Sequence, residues 1–150
     1  ERLFVIGLHL NSKGGDTPLY GRYQPPLLTS QTQRVKQADS IQKFISKMLQ
    51  LDPKAKIVVL GDLNDFQFSE PLKRLQGDLL TNLAERLPEE QRYSYIYDGN
   101  GQILDHILIS EGLKTDVTDF GYIHLNSEFA VARRLSDHDP AIVRFRFGWN

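Results

Sequence analysis

Cysteine is absent from the 150 residues of the chain, which excludes disulfide bridges, thiolate-ligated zinc sites and cysteine nucleophiles. The sequence also lacks any run of about 18 apolar residues, so we expect no membrane-spanning helix. It has no excess of positive charge either, because 18 basic residues face 19 acidic ones and the net charge is −1. Dedicated nucleic-acid binding modules are usually strongly basic, whereas a hydrolase can obtain positive charge at a phosphate from metal ions. The charge balance therefore argues against a protein that only coats nucleic acid, and it is compatible with a hydrolase.

What the sequence does contain is typical of one globular domain. Hydrophobic residues make up 40% and charged residues 25% of the chain, close to the average for soluble domains, and 150 residues can bury a sizeable core. The chain does not begin with Met, and its first residues lead directly into the apolar segment 3–6 without a basic region or a cleavage site. We expect residues 1–150 to be one unit cut from a longer protein.

The first half of the sequence predicts a strand, a long loop, a helix and a second strand. Residues 3–10 are apolar enough for a buried strand, and residues 11–28 are rich in Gly and Pro, which is typical of a loop. Thr29 or Ser30 can cap a helix that runs to about residue 51, with apolar residues three and four positions apart. Residues 57–60 are apolar and predict a buried strand.

The second half predicts shorter elements. Residues 70–87 indicate short helical turns. The segments 93–97 and 102–110 read as two strands of a hairpin, because Asp98, Gly99, Asn100 and Gly101 between them favour a turn. Two more strands are expected near residues 119–125 and 141–147. Strands alternating with helices predict an α/β or α+β fold.

Six polar residues with useful chemistry lie in or beside these apolar segments. Taken singly, they have ordinary explanations, such as Asp and Asn in a turn or a buried polar group satisfied by a neighbour. Several of them, however, follow predicted strands, where α/β enzymes place reactive groups. The six are His9, Asp62, Asn64, Asp105, Asp137 and His138.

Together these residue types suit phosphodiester hydrolysis. That reaction needs a metal ion at the phosphoryl oxygens, a positioned water and donors for the charge of the transition state. Asp62 and Asp137 can supply the hard oxygen ligands that Mg²⁺ prefers. His138 can move a proton near neutral pH if a carboxylate such as Asp105 holds its tautomer.

Four motifs in order resemble the endonuclease/exonuclease/phosphatase superfamily: HLNSKGG from His9, GDLND around Asp62, YSYIYDGNGQILDHILIS around Asp105, and SDHDP around Asp137. The resemblance runs from about residue 4 to residue 147. It is closest to large secreted bacterial nucleases, which also resemble this chain in SKGGDTPLYGRYQPP. Secretion is implied only by this resemblance.

The resemblance implies a role for each matching residue. Asp62 would orient or deprotonate the attacking water, and Asn64 would help place it. Asp137 would bind a metal ion, Mg²⁺ or in its place Mn²⁺ or Ca²⁺. His138 would bind the scissile phosphate or act as a base, oriented by Asp105. His9 would protonate the leaving oxygen.

Weaker candidates for phosphate contacts are Lys13, Arg22 and Arg34, for which the alternative is solvated surface charge. The resemblance further implies the C-terminal half of a four-layer α/β sandwich, with a mixed, mostly antiparallel sheet and helices on one face. The N-terminal half of that fold supplies a metal-binding Glu that nothing here matches. We therefore expect that half, or a second chain, to pack on the exposed sheet, and the chain alone to be weak or inactive.

Two alternatives to a nuclease acting on DNA or RNA remain at this stage. One is a phosphatase or sphingomyelinase-type phosphoesterase of the same superfamily, because those enzymes share the GDLN and SDH motifs. The other is a catalytically dead binding module.

Overall fold

The computed structural model describes residues 2–148, which form two α-helices and eight β-strands. In chain order the elements are β1 (Leu3–His9), α1 (Gln31–Leu51), β2 (Lys56–Asp62), α2 (Glu70–Gln76), β3 (Leu80–Asn82), β4 (Tyr95–Tyr97), β5 (Asn100–Gln102), β6 (Asp105–Ser110), β7 (Val117–Tyr122) and β8 (Ala141–Phe145). Neither helix in this part of the chain is long and apolar enough to cross a lipid bilayer.

The main sheet has four strands in the order β1-β2-β6-β3. β1 and β2 run parallel and are joined through α1, whereas β6 is antiparallel to both β2 and β3. The hairpins β4–β5 and β7–β8 form two separate two-stranded sheets. The arrangement confirms the predicted mixed, mostly antiparallel α/β fold.

Two apolar clusters cover opposite faces of the main sheet. Ile57 and Val59 of β2 pack with the helices, including the fully buried Ala38 and Ile45 of α1. Val58, between them in sequence, points to the other face and packs against the β7–β8 hairpin, because successive side chains of a strand alternate. The helices therefore lie on one face, as predicted, and the hairpin covers part of the other.

The helix α1 matches its prediction except at its cap. Ser30 occupies the N-cap position, but its side chain makes no capping hydrogen bond. Its hydroxyl instead donates to Asp16 of the preceding loop, 2.6 Å away. Asp52 ends the helix in an extended conformation before Pro53.

Three strand predictions need correction. Within residues 2–148 the segment 3–10 pairs with β2 alone and so forms an edge strand, and its residues Leu3, Phe4 and Val5 are exposed. The predicted strand 102–110 splits at residues 103–104: the first part closes the short β4–β5 hairpin, and the rest leaves it as β6 to join the main sheet. Residues 80–82, predicted as part of a helical turn, form β3 because β6 offers them a free edge.

Candidate active site

Polar side chains from three neighbouring strands form one row at one end of the main sheet. β1 and β2 end where the antiparallel β6 begins, and in the strand register His9 pairs with Asp62 and Asp62 with Asp105. Residues paired across neighbouring strands point to the same side of a sheet. The row lies on the face away from α1, because Leu8, adjacent to His9, packs into the helix-side cluster.

Gly61 shapes the position of Asp62 in this row. Its φ is +132°, and a Cβ atom there would lie 2.0 Å from the carbonyl oxygen of Leu8. Only glycine permits that close approach of β1 to β2. The glycine of the GDLND motif therefore sets the distance between the ends of these two strands.

The turn after β2 fixes Asp62 and Asn64 together. The backbone N–H of Asn64 donates to Oδ1 of Asp62 at 2.8 Å, and the side-chain amide of Asn64 donates to the carbonyl oxygen of Leu10 at 3.0 Å. Asn64 adopts a left-handed conformation with φ of 52°, which Asn tolerates better than most residues. The loop thus ties the end of β2 to the end of β1.

Asp62 has an environment suited to a base. Burial raises the pKa of its carboxyl group, and the negative charge of Asp105 raises it further, against the opposing effect of the hydrogen bond from Asn64. Its Oδ2 lies 3.6 Å from Nε2 of His9. His9 itself is open to solvent, with 76% of its side chain exposed.

His138 joins the row through Asp105. Its Nδ1 lies 2.6 Å from Oδ2 of Asp105, which raises the pKa of His138 chiefly through this hydrogen bond, with the charge of Asp62 adding to the effect. The tautomer that donates from Nδ1 leaves Nε2 for another partner. The ring of Tyr95 covers one side of the imidazole, with 4.9 Å between the ring centroids.

Asp139, to which the sequence analysis gave no role, anchors the loop that carries His138. Its carboxylate accepts hydrogen bonds from the backbone N–H groups of Leu125, Asn126 and Ser127 and from the side chains of His124 and Ser127. Burial alone would raise its pKa, but the bonds from Ser127, His124 and Asn126 hold it at about 2. The signal available in the sequence was the dipeptide Asp139-Pro140, which favours a fixed turn.

His106 faces away from this row. It is fully buried, accepts at Nδ1 from the amide of Asn82 (3.0 Å) and donates from Nε2 to the carbonyl oxygen of Asp65 (2.9 Å). Burial lowers the pKa of His106 to about 4. As adjacent residues of β6, Asp105 and His106 point to opposite faces of the sheet, and each is hydrogen-bonded on its own face.

The three weaker phosphate candidates lie in different settings. Arg34 is wholly buried. It is therefore neither a solvated surface charge nor free to contact a phosphate, and its guanidinium donates to Asp65 and Asp16. Lys13 is part-buried, 3.2 Å from Asp65. Arg22 is exposed and lies over the ring of Tyr23. Of the three, Lys13 is the one that lines the cleft beside the row.

The donor set at the row fits a divalent cation. Asp62, Asp105 and His138 offer ligand atoms that all lie within 4.8 Å of one another, and the two neighbouring carboxylates would be stabilised by a positive charge. Mg²⁺ takes such oxygen ligands. Asp137, the ligand predicted from the sequence, is exposed beside His138 and lies outside this group of three.

A cleft of about 650 Å³ opens beside the row. One wall is a lobe formed by residues 18–26, which hydrogen bonds between Thr17 and Leu27 close at its base. The β4–β5 hairpin also lines the cleft, and so do Asn64 and His138. The cleft gives the row a defined approach.

Residues 23–141 match the sequence profile of a family described as the endonuclease/exonuclease/phosphatase family. No curated protein matched the chain. Among solved structures, one similar fold is the 3′ phosphatase NExo from Neisseria bound to a product DNA hairpin: TM-score 0.64, 17% identity, 95% of this chain and 61% of that chain covered.

Two further structures share the fold. One is sphingomyelinase C from Streptomyces griseocarneus (TM-score 0.56, 17% identity, 97% of this chain and 54% of that chain). The other is beta toxin from Staphylococcus aureus with bound magnesium ions (TM-score 0.51, 18% identity, 95% and 52%). The chain thus spans about half to three fifths of the length of these structures.

Proposed function

Because the chain belongs to the endonuclease/exonuclease/phosphatase family, we propose that it carries the catalytic row of a metal-dependent phosphodiesterase acting on nucleic acid. The observation that carries this proposal is the bonded pair of Asp105 and His138 beside the carboxylate of Asp62. A row of this kind offers a base, a cationic donor and hard oxygen ligands within reach of one phosphate.

In this proposal Asp62 orients the attacking water and takes its proton. A carboxyl group whose pKa is raised by burial is a better base than a solvated one. Asn64, fixed by its bonds to Asp62 and Leu10, helps hold the water and the phosphoryl group. The turn thereby sets the line of attack.

His138 acts as a donor to the phosphoryl oxygen. The raised pKa shifts His138 towards the imidazolium form, and that form donates from Nε2 and does not accept a proton. Of the two roles left open by the sequence, phosphate binding is therefore favoured over general base. His9, exposed at the end of the row, would protonate the leaving oxygen in this proposal.

Asp105 would hold the cation through a carboxylate oxygen, with Asp137 as a further oxygen ligand from the neighbouring loop. When bound, Mg²⁺ would neutralise charge on the phosphoryl oxygens. The beta toxin structure, which shares the fold, contains magnesium ions. Mn²⁺ and Ca²⁺ are the alternatives for the same oxygen set.

Nucleic acid is the proposed substrate because the Neisseria relative is bound to a DNA hairpin and the HLNSKGG motif resembles nucleases. A sphingomyelinase-type activity is the second candidate, since a sphingomyelinase C shares the fold. Export from the cell is an extension of the proposal that depends on the resemblance to secreted nucleases.

A partner segment completes the proposal. The chain spans about half to three fifths of the matched structures, and the exposed edge strand β1 offers an apolar surface. We propose that the other half of the sandwich, or a second chain, packs there. Turnover by this chain alone is expected to be low.

The test is cleavage of supercoiled plasmid DNA with Mg²⁺ and with EDTA. We compare the native chain with Asp105→Asn and with a control, Asp78→Asn. Asp78 is an exposed acid away from the row. Mg²⁺-dependent nicking that Asp105→Asn loses and Asp78→Asn keeps supports the proposal. An N-terminally longer form of the protein that turns over sphingomyelin but not DNA would replace nuclease by the second candidate, and one that hydrolyses neither would indicate a binding module.

A further inference from the structure

Several aromatic side chains that line the cleft beside the row are exposed to solvent. Tyr20 is 74% exposed, Phe68 50% and Tyr97 45%, yet all three line the same cleft. They come from different parts of the chain: the lobe of residues 18–26, the loop after β2, and the β4–β5 hairpin. Aromatic rings exposed towards one concave site indicate a ligand with a planar or apolar part.

Two tyrosines of β4 line the cleft, and one of them lies against His138. Tyr95 contacts the imidazole of His138, and Tyr97 follows two residues along the same strand, so both lie on one side of β4. Phe68, which also lines the cleft, stacks on the buried Phe66, with centroids 5.3 Å apart and 17° between the planes. Phe68 therefore has one covered face and is half exposed.

The polar groups in the cleft select among planar ligands. Gln31, Asn100 and Gln102 line it, and each side-chain amide can both donate and accept a hydrogen bond. The ammonium of Lys13 lies over the ring of Phe66, 4.4 Å from its centroid, where it would repel a quaternary ammonium. A lipid tail would leave these amides without partners.

We propose that this cleft binds one unpaired nucleobase of the substrate, stacked between Phe68 and Tyr97, while the adjoining phosphate lies at His138. The inference rests on the proposed function and names its substrate class as single-stranded or frayed nucleic acid. A base inside a duplex has both faces stacked and its pairing edge occupied, so it must leave the helix to enter such a cleft. Stacking on aromatic rings tolerates any base, so little sequence preference is expected.

The proposal is tested by fluorescence anisotropy of a short fluorescein-labelled oligothymidylate in EDTA, which separates binding from cleavage. The comparison probes are the same oligonucleotide with abasic tetrahydrofuran residues, which keeps the phosphates, and a duplex of equal length. The native chain should bind the oligothymidylate about 10- to 100-fold more tightly than the abasic probe. The duplex should compete poorly.

Variants locate the effect in the cleft. Tyr97→Ala and Phe68→Ala should each weaken oligothymidylate binding by about 5- to 100-fold, whereas Tyr97→Phe should retain it because the ring remains. Phe44→Ala is the matched control, since Phe44 is 56% exposed on α1 and does not line the cleft. Circular dichroism of each variant checks that it is folded.

The outcomes separate this inference from the proposed function. Equal binding of base-containing and abasic probes, or no change in Tyr97→Ala and Phe68→Ala, overturns the cleft assignment even if Mg²⁺-dependent nicking is observed. Tight binding of phosphocholine in place of the oligonucleotide also overturns it. Base-dependent binding without hydrolysis of any phosphodiester, in this chain or in an N-terminally longer form, would support the cleft and reject the catalytic proposal.

Discussion

Asp62 and Asp105 stand directly opposite each other on antiparallel strands, as paired residues in the register of β2 and β6. Like charges facing each other across a sheet are normally destabilising. Each carboxylate has a counterpart: Asp62 has the N–H of Asn64 and the nearby His9, and Asp105 has His138. The site therefore holds acids together at a stability cost that a bound cation would offset.

Replacing Asp105 by Asn should lower the pKa of His138. The Asp105 carboxylate is the main cause of the raised value, and an amide keeps the shape without the charge. NMR titration of the imidazole in EDTA measures the change. Plasmid nicking by the active protein should fall by about 100- to 1,000-fold. An unchanged titration would mean that the bond to Asp105 does not control His138.

Gly61→Ala should destabilise the fold by about 3 kcal/mol or more, because the new methyl group meets the Leu8 carbonyl oxygen 2.0 Å away and φ is +132°. Gly7→Ala is the matched control on the neighbouring strand, where a Cβ has no atom within 4 Å. Urea unfolding of both variants gives the two free energies. Similar values for the pair would contradict the close approach of β1 to β2.

The buried His106 should make the fold sensitive to acid. Its pKa falls from 6.5 to about 4 on folding, so between these values the unfolded chain binds more protons than the folded one. The contribution of His106 to the free energy of unfolding is therefore complete above about pH 6.5. Up to about 3 kcal/mol of it is lost as the pH falls towards 4.

Chemical unfolding across this pH range compares the native chain with His106→Gln, which can bond Asn82 but does not titrate. The difference in unfolding free energy between the two should shrink as the pH falls. His138, whose pKa is raised, contributes with the opposite sign in both proteins and cancels in the comparison. A constant difference would show that folding does not lower the pKa of His106.

Arg34→Met should cost about 3–5 kcal/mol of folding free energy, because the buried carboxylates of Asp16 and Asp65 would both lose the guanidinium that pairs with them. Arg74→Met is the control, since Arg74 forms its ion pairs at the surface and such pairs contribute roughly 1 kcal/mol or less. Thermal unfolding of both variants by calorimetry distinguishes the two cases.

The exposed edge strand β1 should drive association. Val5 is 59% exposed on it, and the open side of an apolar edge strand can pair with another chain. Light scattering of the native chain should show species larger than a monomer, and Val5→Lys should shift them towards the monomer. Leu51→Lys, which removes an exposed Leu from the end of α1, should not. A native chain that is monomeric at all concentrations would refute this expectation.

The sequence predicted the positions of the helices and strands better than it predicted which strands pair with one another. The helix α1 and the strands at residues 57–60 and 141–147 were recognisable because their apolar spacing is local. β3 was missed because its three residues carry no pattern of their own and become a strand only beside β6. Likewise, the break after residue 102 depends on β6 pairing with β2, which no local signal reports.

For the site, the sequence indicated the residue types but not their register. The row of His9, Asp62 and Asp105 follows from pairing across three strands, which is a non-local property. The burial of Arg34 was hidden for the same reason, since its partners Asp16 and Asp65 lie on two different loops. The catalytic roles themselves stay predictions until the variants are measured.

Hydrogen bonds between Thr17 and Leu27 close the base of the lobe of residues 18–26, which forms one wall of the cleft. Two hydrogen bonds hold the lobe of residues 18–26 at its base, so its tip can gain or lose residues at a small entropic cost. The catalytic row is carried by strands that do not include this lobe. A change in the length of this lobe would therefore alter one part of the cleft wall and leave the strands that carry His9, Asp62 and Asp105 in place.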